Sequence, residues 1–165
     1  MALKEKNMEL GIALAILGAA LAAGFAGAGS ALGVGIAGQS GSGVISEEPE
    51  KFGQVLLLEA LPGTQGIYGF LAAIMALQKI GLLGGEILTV STSVGWQIAF
   101  ACLPIAITGL SSGWLQGKVS SAGMGVVAKQ PKALGKAIVL SAMVETYAVL
   151  GLLTTILLLN GIKIG

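Results

Sequence analysis

The sequence predicts an all-α membrane protein of four transmembrane helices, arranged as two duplicated helical hairpins. Three observations predict this fold. Charged side chains make up 10% of the 165 residues and hydrophobic ones 55%, whereas soluble domains carry about 25% charge. Four apolar stretches are each long enough to cross a bilayer as a helix, which takes roughly 20 residues. The second half of the chain also repeats the first half without a gap.

The composition excludes several classes of function. All the charged side chains are lysine or glutamate, so metal sites built on imidazole and catalysis by histidine are ruled out. The single cysteine, Cys102, allows neither a disulfide nor a thiolate metal site within one chain. A net charge of +1 argues against a nucleic-acid partner. No phosphate-binding glycine loop ends in Gly-Lys-Ser/Thr, and we expect neither catalytic residues nor an organic cofactor.

The first apolar stretch covers residues 10–37 and follows a segment that mixes Lys with Glu. Because this flank is not uniformly basic and the apolar run is too long for a secretory signal, we expect a retained membrane helix. Gly27, Ala31 and Gly35 recur at four-residue intervals, a spacing that lets helix backbones approach closely in lipid. A tight bundle within one chain and an inner circle of helices in an oligomer both satisfy this spacing. The following connection, residues 39–51, is predicted to be a polar loop.

The second apolar stretch, residues 52–77, carries polar groups on one helical face. Four residues occupy positions i, i+3, i+4 and i+7 of that face: Leu61, Thr64, Gln65 and Tyr68. Pro62 lacks an amide hydrogen and is expected to kink the helix and free a backbone carbonyl, while Gly63 leaves space beside it. Taken singly, Thr64 and Gln65 are explained by hydrogen bonds to their own or a neighbouring helix. Together on one face, they indicate a shared site.

The third stretch, residues 87–117, follows a short glycine-rich connection and carries Gln116 near its end. The four-residue spacing of small residues returns here, at Gly109, Gly113 and Gly117. A basic connection then leads to the fourth stretch, residues 133–159, which contains a lone carboxylate, Glu145, near its middle. An ionised carboxylate at bilayer depth is costly, so a membrane helix retains one mainly where it binds something.

The internal repeat becomes visible when the chain is shifted by 82 residues. The shift superposes identical residues along two spans and a loop: Gly27 on Gly109, Ser30 on Ser112, Gly35 on Gly117, Pro49 on Pro131, Gly53 on Gly135, Thr64 on Thr146 and Gly69 on Gly151. We therefore divide the chain into a first hairpin, residues 1–83, and a second hairpin, residues 84–165. Because each copy contains two spans, the two copies run in the same direction across the membrane.

The differences between the copies indicate where function is concentrated. Glu145 falls on Gly63 and Gln116 falls on Val34, so the first copy has lost both its carboxylate and the polar partner. The first loop is acidic where the third is basic. Glu59 lies one turn before Gly63, and we do not expect it to be a ligand.

A carboxylate surrounded by neutral oxygens suits a small hard cation, which prefers oxygen ligands. Binding would cancel the charge and allow the occupied site to face lipid. A proton site would need only burial to keep the carboxyl neutral, and it would not require Thr64, Gln65 and Gln116 together. The set of residues therefore favours Na⁺ over H⁺.

Three segments, residues 61–69, 115–118 and 143–148, closely resemble the membrane rotor subunit of bacterial V-type sodium ATPases (subunit K, also called the proteolipid or c-type subunit). The resemblance covers essentially the whole chain and implies that copies assemble into a closed homo-oligomeric ring. It also implies that Na⁺ is bound by the backbone carbonyl of Leu61 and the side chains of four further residues: Thr64, Gln65, Gln116 and Glu145. Tyr68 would donate a hydrogen bond to Glu145 and act as a latch.

The resemblance further implies a multi-pass protein of a bacterial plasma membrane. The ring would turn against a membrane stator subunit that carries a cationic residue, and its cytoplasmic loops would contact a central-stalk subunit. Na⁺ would ride on Glu145 through the lipid-facing part of the rotation, driven by ATP hydrolysis in other subunits.

Three other interpretations remain open at this point. The nearest is the same rotor carrying H⁺. A four-span secondary transporter that uses one Glu would need an aromatic-lined cavity, whereas aromatic residues are only 5% of this chain. A structural bundle with a passive carboxyl would tolerate replacement of Glu145 by Gln. An enzyme is the least expected, for want of a constellation of reactive side chains.

Overall fold

The computed structural model describes residues 2–86 and 88–164, and within these ranges all the regular secondary structure is helical, without strands. Four stretches are long and apolar enough to cross a membrane: Glu9–Glu47, Pro49–Lys79, Thr92–Lys129 and Pro131–Gly161. The second of these is divided, which makes five helices in the described part of the chain: α1 (Ala2–Glu47), α2 (Phe52–Ala60), α3 (Thr64–Lys79), α4 (Thr92–Lys129) and α5 (Leu134–Gly161). The predicted all-α, four-span fold is confirmed.

The two hairpins share the same local design. In each, a long first helix ends at a 3₁₀ turn that begins with proline, Pro49–Lys51 in the first copy and Pro131–Ala133 in the second. Proline suits these positions because its fixed φ favours the start of a helix and its missing amide hydrogen has no helical partner there. In the first copy only, a further 3₁₀ turn, Leu61–Gly63, interrupts the second helix at Pro62, as the sequence predicts.

Helices α1 and α4 pack side by side and run in the same direction. Their contacts advance together along both helices: Gly11 with Gly95, Gly18 with Ala99, Gly29 with Gly113, and Gly33 with Gly117. A hydrogen bond of 2.5 Å between the hydroxyls of Ser40 and Ser121 continues the series. At these positions a side chain on one helix would overlap the backbone of the other. Glycine therefore permits backbone-to-backbone packing in the absence of a hydrophobic driving force.

The glycine face that packs differs from the predicted one on α1. Gly109, Gly113 and Gly117 of α4 do lie in the seam, but α1 presents Gly29 and Gly33 to them. A side chain on Gly27 or Gly35 would meet nothing within 4 Å in this chain. The reason is that α1 carries two interleaved sets of small residues, and spacing within one helix cannot say which set faces a partner.

The remaining helices form a second layer. Helix α3 packs against α1 and also touches α4 and α5, while α5 packs against α4. Two apolar clusters fill the interior. The first surrounds Ala72, Ile98, Cys102 and Leu159, and the second surrounds Leu58, Met124 and Val127. Along each helix, the polar residues singled out by the sequence fall between these two clusters.

The predicted loop at residues 39–51 is wrong over most of its length, because α1 continues as a helix to Glu47. Hydroxyls in this stretch bond back to helical carbonyls, for example Ser42 to Gly38 at 2.9 Å, and Gly41 lies against the side chains of Val55 and Met124. Packing thus overrides the turn propensity of serine and glycine. Helix α4 likewise continues past the predicted end at residue 117 to Lys129.

A buried lysine joins the two hairpins at the loop end. Lys51 is 7% exposed, and its ammonium group donates to the carbonyl of Ala128 at 2.5 Å while pairing with Glu48 at 2.5 Å. A cation that bonds a carbonyl in the last turn of a helix compensates the partial negative charge there. The loop of the first copy is therefore fixed to the end of α4 in the second.

Candidate functional site

The interruption between α2 and α3 creates the first part of the site. The carbonyl of Leu61 accepts hydrogen bonds from the backbone amide of Thr64 and from its hydroxyl, the latter at 3.0 Å. The Thr64 hydroxyl also lies 3.4 Å from the amide oxygen of Gln65. Three oxygen atoms, from Leu61, Thr64 and Gln65, therefore gather at the turn that follows Pro62.

Gln65 connects this turn to α4. Its side chain is fully buried, and its amide nitrogen donates to the hydroxyl of Ser112 at 3.1 Å and to the amide oxygen of Gln116. Gln116 is also fully buried. Two buried amide groups that satisfy each other fix the rotation of α3 relative to α4, because an unpaired buried amide would be costly.

Glu145 closes the network from α5, where its carboxylate is half-buried. The hydroxyl of Tyr68 donates to one carboxylate oxygen at 2.5 Å, and the amide nitrogen of Gln116 lies 3.5 Å from the other. Within the described part of the chain, no lysine lies within ion-pair distance of Glu145. Among the described residues, only neutral groups therefore stabilise the carboxylate charge.

The structure thus brings together every residue that the sequence singled out for the site. One continuous hydrogen-bonded network links five of them across α3, α4 and α5: Leu61, Thr64, Gln65, Gln116 and Glu145. Tyr68 joins it at the carboxylate. The network offers one carboxylate and four neutral oxygens, which are the hard ligands that alkali and alkaline-earth cations prefer.

The charge of this cluster limits the cation it could bind. Among the described residues that form the hydrogen-bonded network, Glu145 is the one acidic side chain. A monovalent ion would leave the site neutral, whereas a divalent ion would leave a net positive charge in an apolar surrounding. Uncompensated charge of either sign is unfavourable at bilayer depth.

The site opens toward the surface of α5. Glu145 lines a shallow, almost wholly apolar groove together with Ala142, Thr146, Val149 and Leu150. Glu145 therefore lies at the outer face of α5, away from the packed interior between α1 and α4.

In the first copy, the positions equivalent to Gln116 and Glu145 have lost their polar side chains. Val34 lies beside Gly63, so that a side chain at position 63 would meet it at 3.8 Å. These two residues occupy the repeat positions of Gln116 and Glu145. On the outer helix of the second copy, the hydroxyl of Thr146 bonds the carbonyl of Met143 at 2.7 Å, as Thr64 bonds Leu61. The hydrogen bond from threonine to the carbonyl three residues earlier is therefore shared by the two copies, whereas the 3₁₀ turn at Leu61–Gly63 and the carboxylate each occur in only one of them.

Two serines that the sequence did not assign to the site take part in it. Ser112 is buried and accepts from Gln65, and Ser30 accepts from the backbone amide of Gly66 at 2.7 Å. The repeat register superposes these two serines on each other, and this match was the signal that could have found them.

Glu59 does not join the network. Its carboxylate lies against the backbone of Gly38, and no hydrogen bond connects it to a described residue. At the repeat positions of the second copy, Ser120 and Ser141 share a hydrogen bond of 2.7 Å. The missing side chain at Gly38 provides the room that the Glu59 carboxylate occupies.

Comparison with known proteins adds two findings. Residues 17–76 and 99–158 each match the family model that describes the C subunit of ATP synthase. The two matched segments begin and end 82 residues apart, which equals the shift of the internal repeat.

Two relatives match most of the chain. The V-type sodium ATPase subunit K of Enterococcus hirae is 45% identical over 148 residues, a match that covers 90% of this chain and 91% of the relative. The A-type ATP synthase subunit K of Methanocaldococcus jannaschii is 45% identical over 149 residues, which cover 90% of this chain and 63% of the relative.

Proposed function

Because the chain belongs to the ATP synthase C-subunit family, we propose that it is the Na⁺-carrying rotor subunit of a V-type ATPase. Copies of the chain form a closed ring in a bacterial plasma membrane, and each copy carries one ion on Glu145. The observation that carries this proposal is the hydrogen-bonded network of neutral oxygens that ends on the carboxylate of Glu145. A relative named as a sodium ATPase subunit supports the choice of ion.

In this function, Na⁺ is a cargo whose binding changes the electrostatics of the site. The ion is held by the Leu61 carbonyl, the Thr64 hydroxyl, the amide oxygens of Gln65 and Gln116, and the Glu145 carboxylate. Its charge cancels that of Glu145, so the loaded site can pass through lipid. The empty, ionised site cannot do so without a large desolvation cost. This difference makes rotation depend on ion loading.

The Tyr68 hydroxyl holds the carboxylate in the position where it meets the other ligands. Such positioning matters because a side chain with several free torsions loses conformational entropy when it binds. Release takes place where a cationic residue of a membrane stator subunit approaches the site and competes with Na⁺ for Glu145. ATP hydrolysis in other subunits drives the ring through a central stalk that contacts its loops.

The nearest alternative is the same rotor carrying H⁺. A proton needs only the carboxylate and a low dielectric, so the buried amide pair formed by Gln65 and Gln116 would then serve packing alone. Both amides lie within the hydrogen-bonded network that reaches the carboxylate, and this arrangement favours Na⁺.

Carbodiimide labelling of the purified ring tests the choice of ion. We expect the reagent to modify Glu145 and Na⁺ to protect it in a concentration-dependent way at constant pH and ionic strength. The matched control is Glu59, a second carboxyl within a membrane span, whose reaction should not respond to Na⁺. Labelling of Glu145 that depends on pH but not on Na⁺ would identify the proton rotor.

A further inference from the structure

The contact between the two hairpins within one chain provides a template for the contact between two chains. Inside the chain, the first copy meets the second through Gly33 against Gly117 on the long helices. Between the layers, Gln65 on α3 of the first copy contacts Gln116 on α4 of the second. In a ring of duplicated hairpins, the second copy of one chain must meet the first copy of the next. The repeat shift of 82 residues then predicts which residues of the two chains come together.

Applied to the long helices, the shift replaces Gly33 by Leu115 and Gly117 by Gly35 of the neighbouring chain. Leu115 is 46% exposed, and a side chain at Gly35 would meet nothing within 4 Å in its own chain. A large exposed side chain on one flank thus corresponds to an open glycine on the other.

Applied to the site, the shift replaces Gln65 by Tyr147, and it replaces Gln116 and Glu145 by Val34 and Gly63 of the neighbouring chain. Tyr147 is 65% exposed, although it is an aromatic residue at the same level of the helix as the site. Gly63 and Val34 lie beside each other and present only apolar atoms and a gap. The surface that carries the bulky Tyr147 side chain therefore corresponds to the surface at Val34 and Gly63, where the amide and the carboxylate have been lost.

We propose that neighbouring chains in the ring meet through the repeat-equivalent positions of the contact within one chain, with their long helices farther apart because Leu115 stands in place of Gly33, and with Tyr147 of one chain filling the vacated site formed by Val34 and Gly63 of the next. The inference rests on the proposed function only in that copies of the chain form a ring. Its consequence is an interface that excludes both water and cations. This interface has no carboxylate or amide in place of Glu145 and Gln116. The Thr146 hydroxyl nevertheless bonds the Met143 carbonyl, as the Thr64 hydroxyl bonds the Leu61 carbonyl.

Cysteine cross-linking within the ring tests this pairing. In a background where the buried Cys102 is replaced by Ala, we combine Val34→Cys with Tyr147→Cys and treat the purified ring with a short bifunctional thiol reagent. The template pair, Gln65 and Gln116, is in direct contact, so we expect a ladder of covalently joined chains. The matched control combines Val34→Cys with Val149→Cys. Val149 lies at nearly the same depth, but its repeat counterpart Ile67 stays 58% exposed beside the other hairpin.

A second measurement does not depend on paired cysteines. Tyr147→Ala should lower the temperature at which the ring dissociates in detergent, Tyr147→Phe should leave it close to that of the wild type, and Val149→Ala should have the smaller effect of the two alanine variants. The ring in each case is identified by its mass or by imaging.

The outcomes separate this inference from the proposed function. A ladder from the variant that carries Tyr147→Cys, and none from the variant that carries Val149→Cys, supports the pairing. An intact ring that gives no ladder with Tyr147→Cys, or equal ladders with both substitutions, overturns the pairing and leaves the rotor function standing. Unsubstituted protein that purifies only as single chains overturns the ring, and with it both proposals.

Discussion

At the residue scale, the chemistry of the site depends on how Glu145 is stabilised. Its carboxylate receives hydrogen bonds from a phenol and an amide, both neutral. Neutral donors lower the cost of a buried charge without removing it. A membrane protein that lacks a fixed countercharge at this position therefore keeps a strong attraction for a mobile one.

Replacing Glu145 by Gln removes the charge and leaves the size of the side chain nearly unchanged. We expect the variant ring to assemble and to lose measurable Na⁺ binding and ATP-driven Na⁺ uptake, followed with radioactive sodium. Glu59→Gln serves as the control and should retain both activities, since Glu59 lies outside the network. Normal Na⁺ transport by the Glu145→Gln ring would instead indicate a passive structural carboxyl.

Replacing Tyr68 by Phe removes one hydrogen bond to a charged group and little else. Such bonds contribute about 1.5–3 kcal/mol, and each 1.4 kcal/mol corresponds to a tenfold change in affinity. We expect the affinity for Na⁺ to fall about tenfold or more, as measured by protection of Glu145 against carbodiimide. Tyr147→Phe is the matched control and should leave the affinity unchanged. An unchanged affinity in the Tyr68 variant would mean that the 2.5 Å contact does not position the carboxylate.

At the element scale, two features place the site. The glycine seam lets α1 and α4 approach backbone to backbone, and the break at Leu61–Gly63 contributes the Leu61 carbonyl to the network that reaches α4 and α5. The seam glycines contribute no side chain to this network. They act because a site built from three helices requires those helices to lie closer together than larger side chains would allow.

Gly113→Ala tests the seam. The added methyl group would lie 2.7 Å from the backbone of Gly29, and overpacking of this kind costs typically about 1–3 kcal/mol. We expect a lower thermal stability of the purified protein and weaker Na⁺ binding. Gly125→Ala is the control on the same helix, because a side chain there meets nothing within 4 Å. Equal effects of the two substitutions would show that helix propensity, and not close approach, sets the outcome.

At the scale of the whole molecule, the proposed function implies that duplication followed by loss decides how many ions a ring carries. Each chain contributes four spans, yet only the second hairpin retains a carboxylate at the site. One ion for four helices is half the number that two intact hairpins would carry. Fewer ions per turn lower the ratio of ions to ATP, which allows a pump to work against a steeper gradient.

We therefore expect one Na⁺ to bind per chain at saturation, measured by equilibrium binding to the purified ring against its protein concentration. Ion transport measured together with ATP hydrolysis should give a lower ratio of ions to ATP than a ring of unduplicated hairpins. A ratio equal to that of an unduplicated ring would contradict the interpretation that Gly63 marks a lost ion site. Two bound ions per chain would contradict it as well.

The sequence by itself determined the number of spans and the duplication, and it singled out the residues that the structure brings into one hydrogen-bonded network. Hydropathy and repetition can be read from the sequence without knowledge of the fold. A lone Glu145 and the turn that contains Pro62 are likewise unusual within apolar stretches, whatever the fold. The same reasoning placed Thr64 and Gln65 on one face, because helical periodicity fixes which residues of a single helix point the same way.

Only the tertiary structure decided how the helices face one another. It selected Gly29 and Gly33 over Gly27 and Gly35 for the seam, and it extended α1 through a stretch whose local sequence is typical of a loop. It also brought Ser112 against Gln65. The physical reason is that rotation of a helix about its axis, and the length over which it stays folded, are set by the partner it packs against.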